Sequence, residues 1–108
     1  MKAFLLKRAL IVTLSLVAFP ALAEQKTIEV TISEYAFTPQ NLTIAKGDTV
    51  VWTNKDETPH NVVAEGKVFK SPALDTEESF RQTFTSVGTF AYVCALHPHM
   101  TGRITVTP

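Results

Sequence analysis

The sequence predicts a single all-β domain with the architecture of a Greek-key β-sandwich. Short segments of residues 24–108 alternate apolar and polar side chains with a period of two, as half-buried strands do. Turn-forming residues separate these segments, and no part of this range repeats apolar residues at the spacing of an amphipathic helix. Many short strands joined by turns are typical of sandwiches. No internal repeat is present, and the length leaves room for one small core.

The first half of this domain contains four predicted strands. Each is a short alternating or β-branched segment that ends at polar or turn-forming residues. They cover residues 28–32, 42–44, 49–53 and 60–64.

The second half contains three more predicted strands, over residues 80–84, 90–94 and 104–106. Phe90, Tyr92 and Cys94 share one face of the middle strand, whereas Ala91 and Val93 share the other. The last strand is expected to begin near residue 102. Residues 65–79 include a glycine, a proline and four acids, and they are predicted to form a long surface connection.

The first 23 residues are predicted to be a secretory signal that is cleaved after Ala23, which leaves residues 24–108 as the domain. Residues 1–8 contain three basic side chains and no acid, residues 9–19 are apolar, and residues 20–23 are small at the positions that a signal peptidase reads. An apolar run of 11 residues is too short to span a bilayer. Glu24 follows the cleavage point, where a lipid anchor would need a cysteine. We therefore expect a periplasmic protein without a membrane anchor.

Charge and cysteine content narrow the functional classes. All ten acids follow residue 23, where only seven of the ten Lys and Arg residues remain, so the exported chain would carry a net charge of −3. A nucleic-acid partner is not expected, because such partners usually need a basic face. One cysteine excludes an internal disulfide. Cys94 is therefore either a small buried apolar residue or a metal thiolate.

The residues around Cys94 favour the thiolate. A single seven-residue stretch contains Cys94, His97, His99 and Met100, and His60 lies upstream in a Pro-His-Asn sequence. Two histidines and a cysteine with a weak axial methionine are the ligands of a type 1, or blue, copper site. Zinc is less suited to a methionine ligand. We predict that His60, Cys94, His97 and Met100 bind one copper ion that alternates between Cu(I) and Cu(II).

At these residues the sequence closely resembles the cupredoxins, and within them the amicyanins. Residues 54–62 resemble the stretch with the first histidine ligand, and residues 88–94 resemble the strand that leads to the cysteine. The C-x-x-H-x-x-M spacing from Cys94 to Met100 matches the short ligand loop of amicyanins. The resemblance implies a monomeric, plastocyanin-like electron carrier. Its donor would be a quinone-cofactor amine dehydrogenase and its acceptor a c-type cytochrome.

The resemblance also implies roles for residues beside the ligands. Asn61 would tie its own loop to the backbone next to Cys94, or it is simply a turn residue. His97 would lie in an apolar surface patch with three neighbours that could equally be ordinary loop residues, namely Pro59, Leu96 and Pro98. Leu96 and His99 stand where amicyanins typically have proline and phenylalanine. His99 is a surface group, a competing ligand or a partner contact.

Other functions remain as alternatives. A copper-handling or buffering protein is the main one, although such proteins often have several methionines and residues 24–108 contain one. An enzyme such as a multicopper oxidase fragment is not expected, because the ligand set leaves no open position for a substrate. A purely structural sandwich would require the ligand spacing to be a coincidence.

Overall fold

Eight strands and one 3₁₀ turn make up the regular structure among the residues that the structure describes. The structure, a computed structural model, describes residue 3, residues 9–17 and residues 24–108. The strands are β1 (Thr27–Ser33), β2 (Ala36–Thr38), β3 (Asn41–Ala45), β4 (Thr49–Asn54), β5 (Val63–Ala64), β6 (Ser79–Thr83), β7 (Gly88–Cys94) and β8 (His97–Thr107). A single 3₁₀ turn covers Glu65–Lys67.

These strands form two four-stranded sheets, in the orders β2-β1-β4-β6 and β3-β8-β7-β5. β1 runs parallel to β4 and β3 runs parallel to β8, whereas the other pairs are antiparallel. Parallel neighbours in an antiparallel sandwich arise where the chain crosses from one sheet to the other. The predicted all-β sandwich is confirmed.

The core lies between the two sheets. Trp52 of β4 and Tyr92 of β7 meet edge to face, with ring centroids 5.4 Å apart and an interplanar angle of 82°. Such aromatic pairs add stability beyond the area they bury. Gly102 of β8 lies opposite Tyr92, and a Cβ atom there would lie 2.2 Å from Cζ of the tyrosine ring. Glycine at this position therefore makes room for the ring.

The strands differ from the predicted ones in β2, which no segment predicted, and most at two boundaries beside the candidate ligands. β8 begins at His97 instead of residue 102, because the chain reverses in a two-residue turn and Cys94 pairs directly with His97. The predicted strand 60–64 shrinks to β5 at its C-terminal end, and His60 makes only an isolated bridge with Leu74.

The prediction of a long surface connection over residues 65–79 is confirmed for most of its side chains, which are exposed. The segment lacks a long strand, but it folds back against the ligand-bearing connection through the bridges His60–Leu74 and Val63–Lys70. Phe69 and Leu74 are buried in the core. Their isolated apolar positions among acids carried no periodic signal, so only tertiary packing reveals them.

The predicted leader is only partly described. Residues 9–17 have neither helix nor strand and their side chains are exposed, and the predicted cleavage point at Ala23 lies outside the described residues. Among the residues described, no helix is long and apolar enough to cross a membrane.

Candidate metal centre

Three of the four predicted ligands converge at one end of the sandwich. Cys94 ends β7, and His97 begins β8 after the turn formed by Ala95 and Leu96. His60 lies on the connection between β4 and β5, where its backbone N–H and C=O both bond to Leu74. Two different connections therefore present their donors to one point.

The donor atoms form a tight triangle. Sγ of Cys94 lies 3.7 Å from Nδ1 of His60 and 3.7 Å from Nδ1 of His97, and the two nitrogens are 3.1 Å apart. A point equidistant from three atoms at these separations lies about 2 Å from each of them. Metal–nitrogen and metal–sulfur bonds in proteins are about 2.0–2.3 Å long. The triangle therefore fits one metal ion, and the thiolate and imidazole donors suit copper.

Asp56 sets the orientation of His60. Nε2–H of the fully buried His60 donates to Oδ2 of Asp56 at 2.8 Å. A neutral imidazole that carries its proton on Nε2 has a free lone pair on Nδ1, which is the atom that faces Cys94. A carboxylate that holds the outer nitrogen of a ligating histidine is a common device for fixing ring orientation and raising ligand basicity.

The charge on Asp56 is itself supported by the backbone. Burial pushes the pKa of Asp56 up, but three hydrogen bonds outweigh it and hold that pKa below its ordinary value. The donors are the backbone N–H groups of Tyr35, at 3.0 Å, and Glu34, at 2.7 Å, together with the His60 ring. Asp56 thus remains an acceptor for His60 in moderately acidic solution.

Asn61 holds the surroundings of the Cys94 sulfur. Its backbone N–H donates to Sγ at 3.4 Å, and its side-chain Oδ1 accepts a hydrogen bond from the backbone N–H of Ala95 at 2.7 Å. The role implied for Asn61 by the resemblance is confirmed. The Asn61 N–H and the Asn61 side chain thus fix the backbone around the Cys94 sulfur, and Cys94 itself is fully buried.

Met100 lies three residues beyond His97 on β8, and its side chain is 2% exposed. It belongs to the same buried core cluster as Cys94. Its burial is compatible with an axial thioether, and that ligand role stays a prediction.

The surface beside the triangle is partly apolar. His97 is half-buried, and Leu96, at 51% exposure, is accompanied by exposed Pro59 and Pro98. His99 is also exposed, and its ring centroid lies 6.4 Å from that of His97. The triangle does not include His99, which agrees with the surface alternative.

Two residues of the site escaped the sequence analysis. Asp56 follows β4 in a polar segment, and an acid four residues before a candidate histidine ligand is a usable signal for a supporting carboxylate. Tyr35 carried no signal at all, because it lies far from the ligands in sequence. Its ring nevertheless lies 5.2 Å from the His60 ring and 5.1 Å from the His97 ring, centroid to centroid.

Comparison with known proteins identifies the family. A family model described as a cupredoxin-like domain matches residues 7–106. The chain belongs to the cupredoxin family. The amicyanin of Paracoccus denitrificans is 36% identical to this cupredoxin over 84 residues, which are 73% of this chain and 64% of that protein. The plastocyanin of Scenedesmus fuscus is 36% identical over 83 residues, which are 65% of this chain and 85% of that one.

Solved structures agree with this assignment. A Cu(I) structure of an amicyanin with methionine replaced by alanine matches with a TM-score of 0.71 and 34% identity, covering 75% of this cupredoxin and 82% of that chain. This cupredoxin spans somewhat less than two thirds of the length of the Paracoccus denitrificans amicyanin.

Proposed function

We propose that this cupredoxin is a one-electron carrier that holds one copper ion with His60, Cys94 and His97 and with Met100 as a weak axial ligand. The observation that carries this proposal is the triangle of donor atoms, whose separations of 3.7, 3.7 and 3.1 Å fit a single ion. Its likeness to amicyanins and plastocyanins supports the same conclusion.

When bound, copper supplies a one-electron couple, Cu(I)/Cu(II), and the chain supplies a rigid set of donors. Fast electron transfer requires that the ligands move little between the two oxidation states. His60 is held by Asp56 at one end and by Leu74 through its backbone. Cys94 and His97 are paired with each other across the turn between β7 and β8. Each donor therefore has a position that is fixed by the sandwich.

His97 is the proposed route for electrons to and from the site. It is the one member of the triangle that is not fully buried, since His60 and Cys94 are 0% exposed. Exposed Leu96 beside it provides an apolar contact for a partner. An apolar contact surface around a half-buried ligand allows brief docking with little desolvation of charge.

We further propose that the chain is exported to the periplasm after cleavage at Ala23. The proposed donor is a quinone-cofactor amine dehydrogenase and the proposed acceptor is a c-type cytochrome. The leader-like residues 1–23 and the likeness to amicyanins support this proposal. Cell fractionation with N-terminal sequencing tests export, and stopped-flow mixing with each partner class tests the electron route. An uncleaved cytoplasmic protein would contradict export. The absence of electron transfer with both partner classes would contradict the proposed electron route.

Copper loading tests the function directly. Cu(II) added to the metal-free protein should give one equivalent of binding, an intense thiolate-to-copper absorption band and the electron paramagnetic resonance signal of a type 1 site. Cys94→Ser should abolish the band, whereas His99→Ala should retain it, because His99 lies outside the triangle. Tight binding of Cu(I), together with no such band after Cu(II) is added, would favour the copper-handling alternative. A colourless wild-type protein with Cu(II) would refute the electron-carrier proposal.

A further inference from the structure

The β1–β2 turn has an unfavourable sequence for its backbone conformation. Glu34 and Tyr35 form a two-residue hairpin loop between Ser33 and Ala36, and their φ angles are 53° and 55°. Positive φ at both positions is the requirement of a type I′ turn, which strongly favours Asn-Gly or Asp-Gly. A glutamate and a bulky aromatic residue in the left-handed region cost free energy. Such strain is a pointer to function when surrounding contacts maintain it.

Four contacts of Tyr35 lead to the metal centre and to the connection that carries His60. Its ring makes edge-to-face contacts with His60, at 88° between planes, and with His97, at 89°. Its hydroxyl is 2.8 Å from Oγ1 of Thr58, and its backbone N–H donates to Asp56. Asp56 also accepts the hydrogen bond from His60, so the carboxylate joins the turn directly to a candidate ligand.

Core packing does not account for the tyrosine. Tyr35 is 44% exposed and does not belong to the buried cluster between the sheets. A glycine or asparagine would satisfy the turn better. The ring contacts with the two histidines are therefore the feature that a better turn residue would lose.

We propose that Tyr35 is a positioning residue that fixes the rings of both histidines from the solvent side. Edge-to-face contact with two rings at once restricts rotation of each about its Cβ–Cγ bond. The consequence for a bound ion rests on the proposed copper function: His97, the half-buried ligand, would leave the metal less often. Restriction of the rings themselves does not require a metal.

The first test uses the metal-free protein and nuclear magnetic resonance of the histidine rings. Tyr35→Asn removes the ring but suits the positive φ, because asparagine tolerates this region. We expect its urea midpoint to equal or exceed that of the wild type, while the C–H order parameters of the His60 and His97 rings fall. Val87→Asn, a change at an exposed apolar residue that precedes β7 at the end opposite Cys94, is the control and should leave both rings ordered. Unchanged ring order in Tyr35→Asn would overturn the proposal.

The hydroxyl tie to Thr58 is tested separately. Tyr35→Phe and Thr58→Val each remove one partner of that contact and keep the ring. Both should lower the ring order to a similar, smaller extent, and the double variant should be no worse than either single variant, since both changes delete the same interaction. Additive losses would show that the hydroxyl contact does not hold the ring.

The second test uses the copper-loaded protein. Release of Cu(II) to excess chelator should be about tenfold faster in Tyr35→Asn than in the wild type, as expected when two aromatic contacts are lost. An equal release rate would overturn the consequence for the metal. If the wild type fails to bind copper, the proposed function fails, while the ring measurements in metal-free protein still decide the role of Tyr35.

Discussion

Oδ1 of Asn61 accepts a hydrogen bond from the backbone N–H of Ala95 at 2.7 Å, across 34 residues of sequence. This contact joins the connection that carries His60 to the turn that follows Cys94. The neighbouring backbone N–H of Asn61 points to the Cys94 sulfur at 3.4 Å. One residue thus sets the separation of two candidate ligands from different sheet connections.

Replacement of this amide should destabilise the domain. Asn61→Ala leaves the N–H of Ala95 without its acceptor, and we expect the free energy of unfolding of the metal-free protein to fall by about 1–3 kcal/mol. Urea unfolding followed by tryptophan fluorescence measures this, since the chain has one tryptophan, buried in the core. Glu57→Ala, at an exposed position of the same connection, is the control and should lose less than about 0.5 kcal/mol. Equal losses in the two variants would contradict the hydrogen-bond explanation.

Acid stability should depend on Asp56. The pKa of Asp56 is lower in the folded than in the unfolded chain, because the hydrogen bonds from Tyr35, Glu34 and His60 outweigh the opposing effect of burial. The stability that this carboxylate contributes is therefore complete above the unfolded pKa, about 3.9. It is lost as the pH falls toward the folded pKa.

Asp56→Asn should accordingly flatten the decline in unfolding free energy below about pH 4. Urea midpoints between pH 2.5 and pH 6 measure the slope, and Glu57→Gln, which removes one charge at the adjacent exposed position, is the control. Some slope should persist, because backbone N–H groups of Lys26 and Ala45 also lower the pKa of Asp48. The prediction would be contradicted if the unfolding free energy of Asp56→Asn declined with falling pH as steeply as that of the wild type.

Gly102 should not tolerate a side chain. The added methyl of Gly102→Ala would lie 2.2 Å from Cζ and 2.3 Å from Oη of the buried Tyr92 ring. We expect a loss of about 1–3 kcal/mol in unfolding free energy, typical of overpacking. Arg103→Ala on the exposed side of the same strand should change it by less than about 0.5 kcal/mol. Urea unfolding measures both variants. A urea midpoint of Gly102→Ala equal to that of the wild type would show that the Tyr92 ring moves aside without cost.

Alkaline stability should depend on Tyr92. Burial raises the pKa of Tyr92 to about 12. The unfolded chain therefore loses this proton first, near pH 10. The stability that protonated Tyr92 contributes is complete below about pH 10. It is lost as the pH rises toward the pKa of the folded chain, and the total loss is roughly 2–3 kcal/mol.

Tyr92→Phe should weaken this dependence. Its unfolding free energy should fall less steeply between pH 10 and pH 12 than that of the wild type, as measured by urea midpoints at each pH. Tyr35→Phe is the control at the other tyrosine, which is 44% exposed. A wild-type slope in Tyr92→Phe would contradict the assignment.

The period-two alternation of apolar residues was sufficient to predict the sandwich, because each strand must bury one face. The candidate ligands were predictable for a chemical reason: a thiol, an imidazole and a thioether at short spacing, with a second imidazole in an upstream Pro-His-Asn sequence, have few other uses. The strand boundaries beside the candidate ligands were harder to predict from the sequence. His97 proved to begin a strand, since the turn after Cys94 takes only two residues. Phe69 and Leu74, buried within an acidic segment, gave no periodic signal.

The sequence by itself determined the fold class and the donor atoms, because both follow from local pattern and side-chain chemistry. Only the tertiary structure decided how those donors are held. Asp56 bonds to His60, and Tyr35 contacts both histidines from a strained hairpin turn that, by its sequence, would not be expected to form. Contacts between residues 20 or more positions apart depend on how the two sheets close against each other, and no local pattern encodes that arrangement.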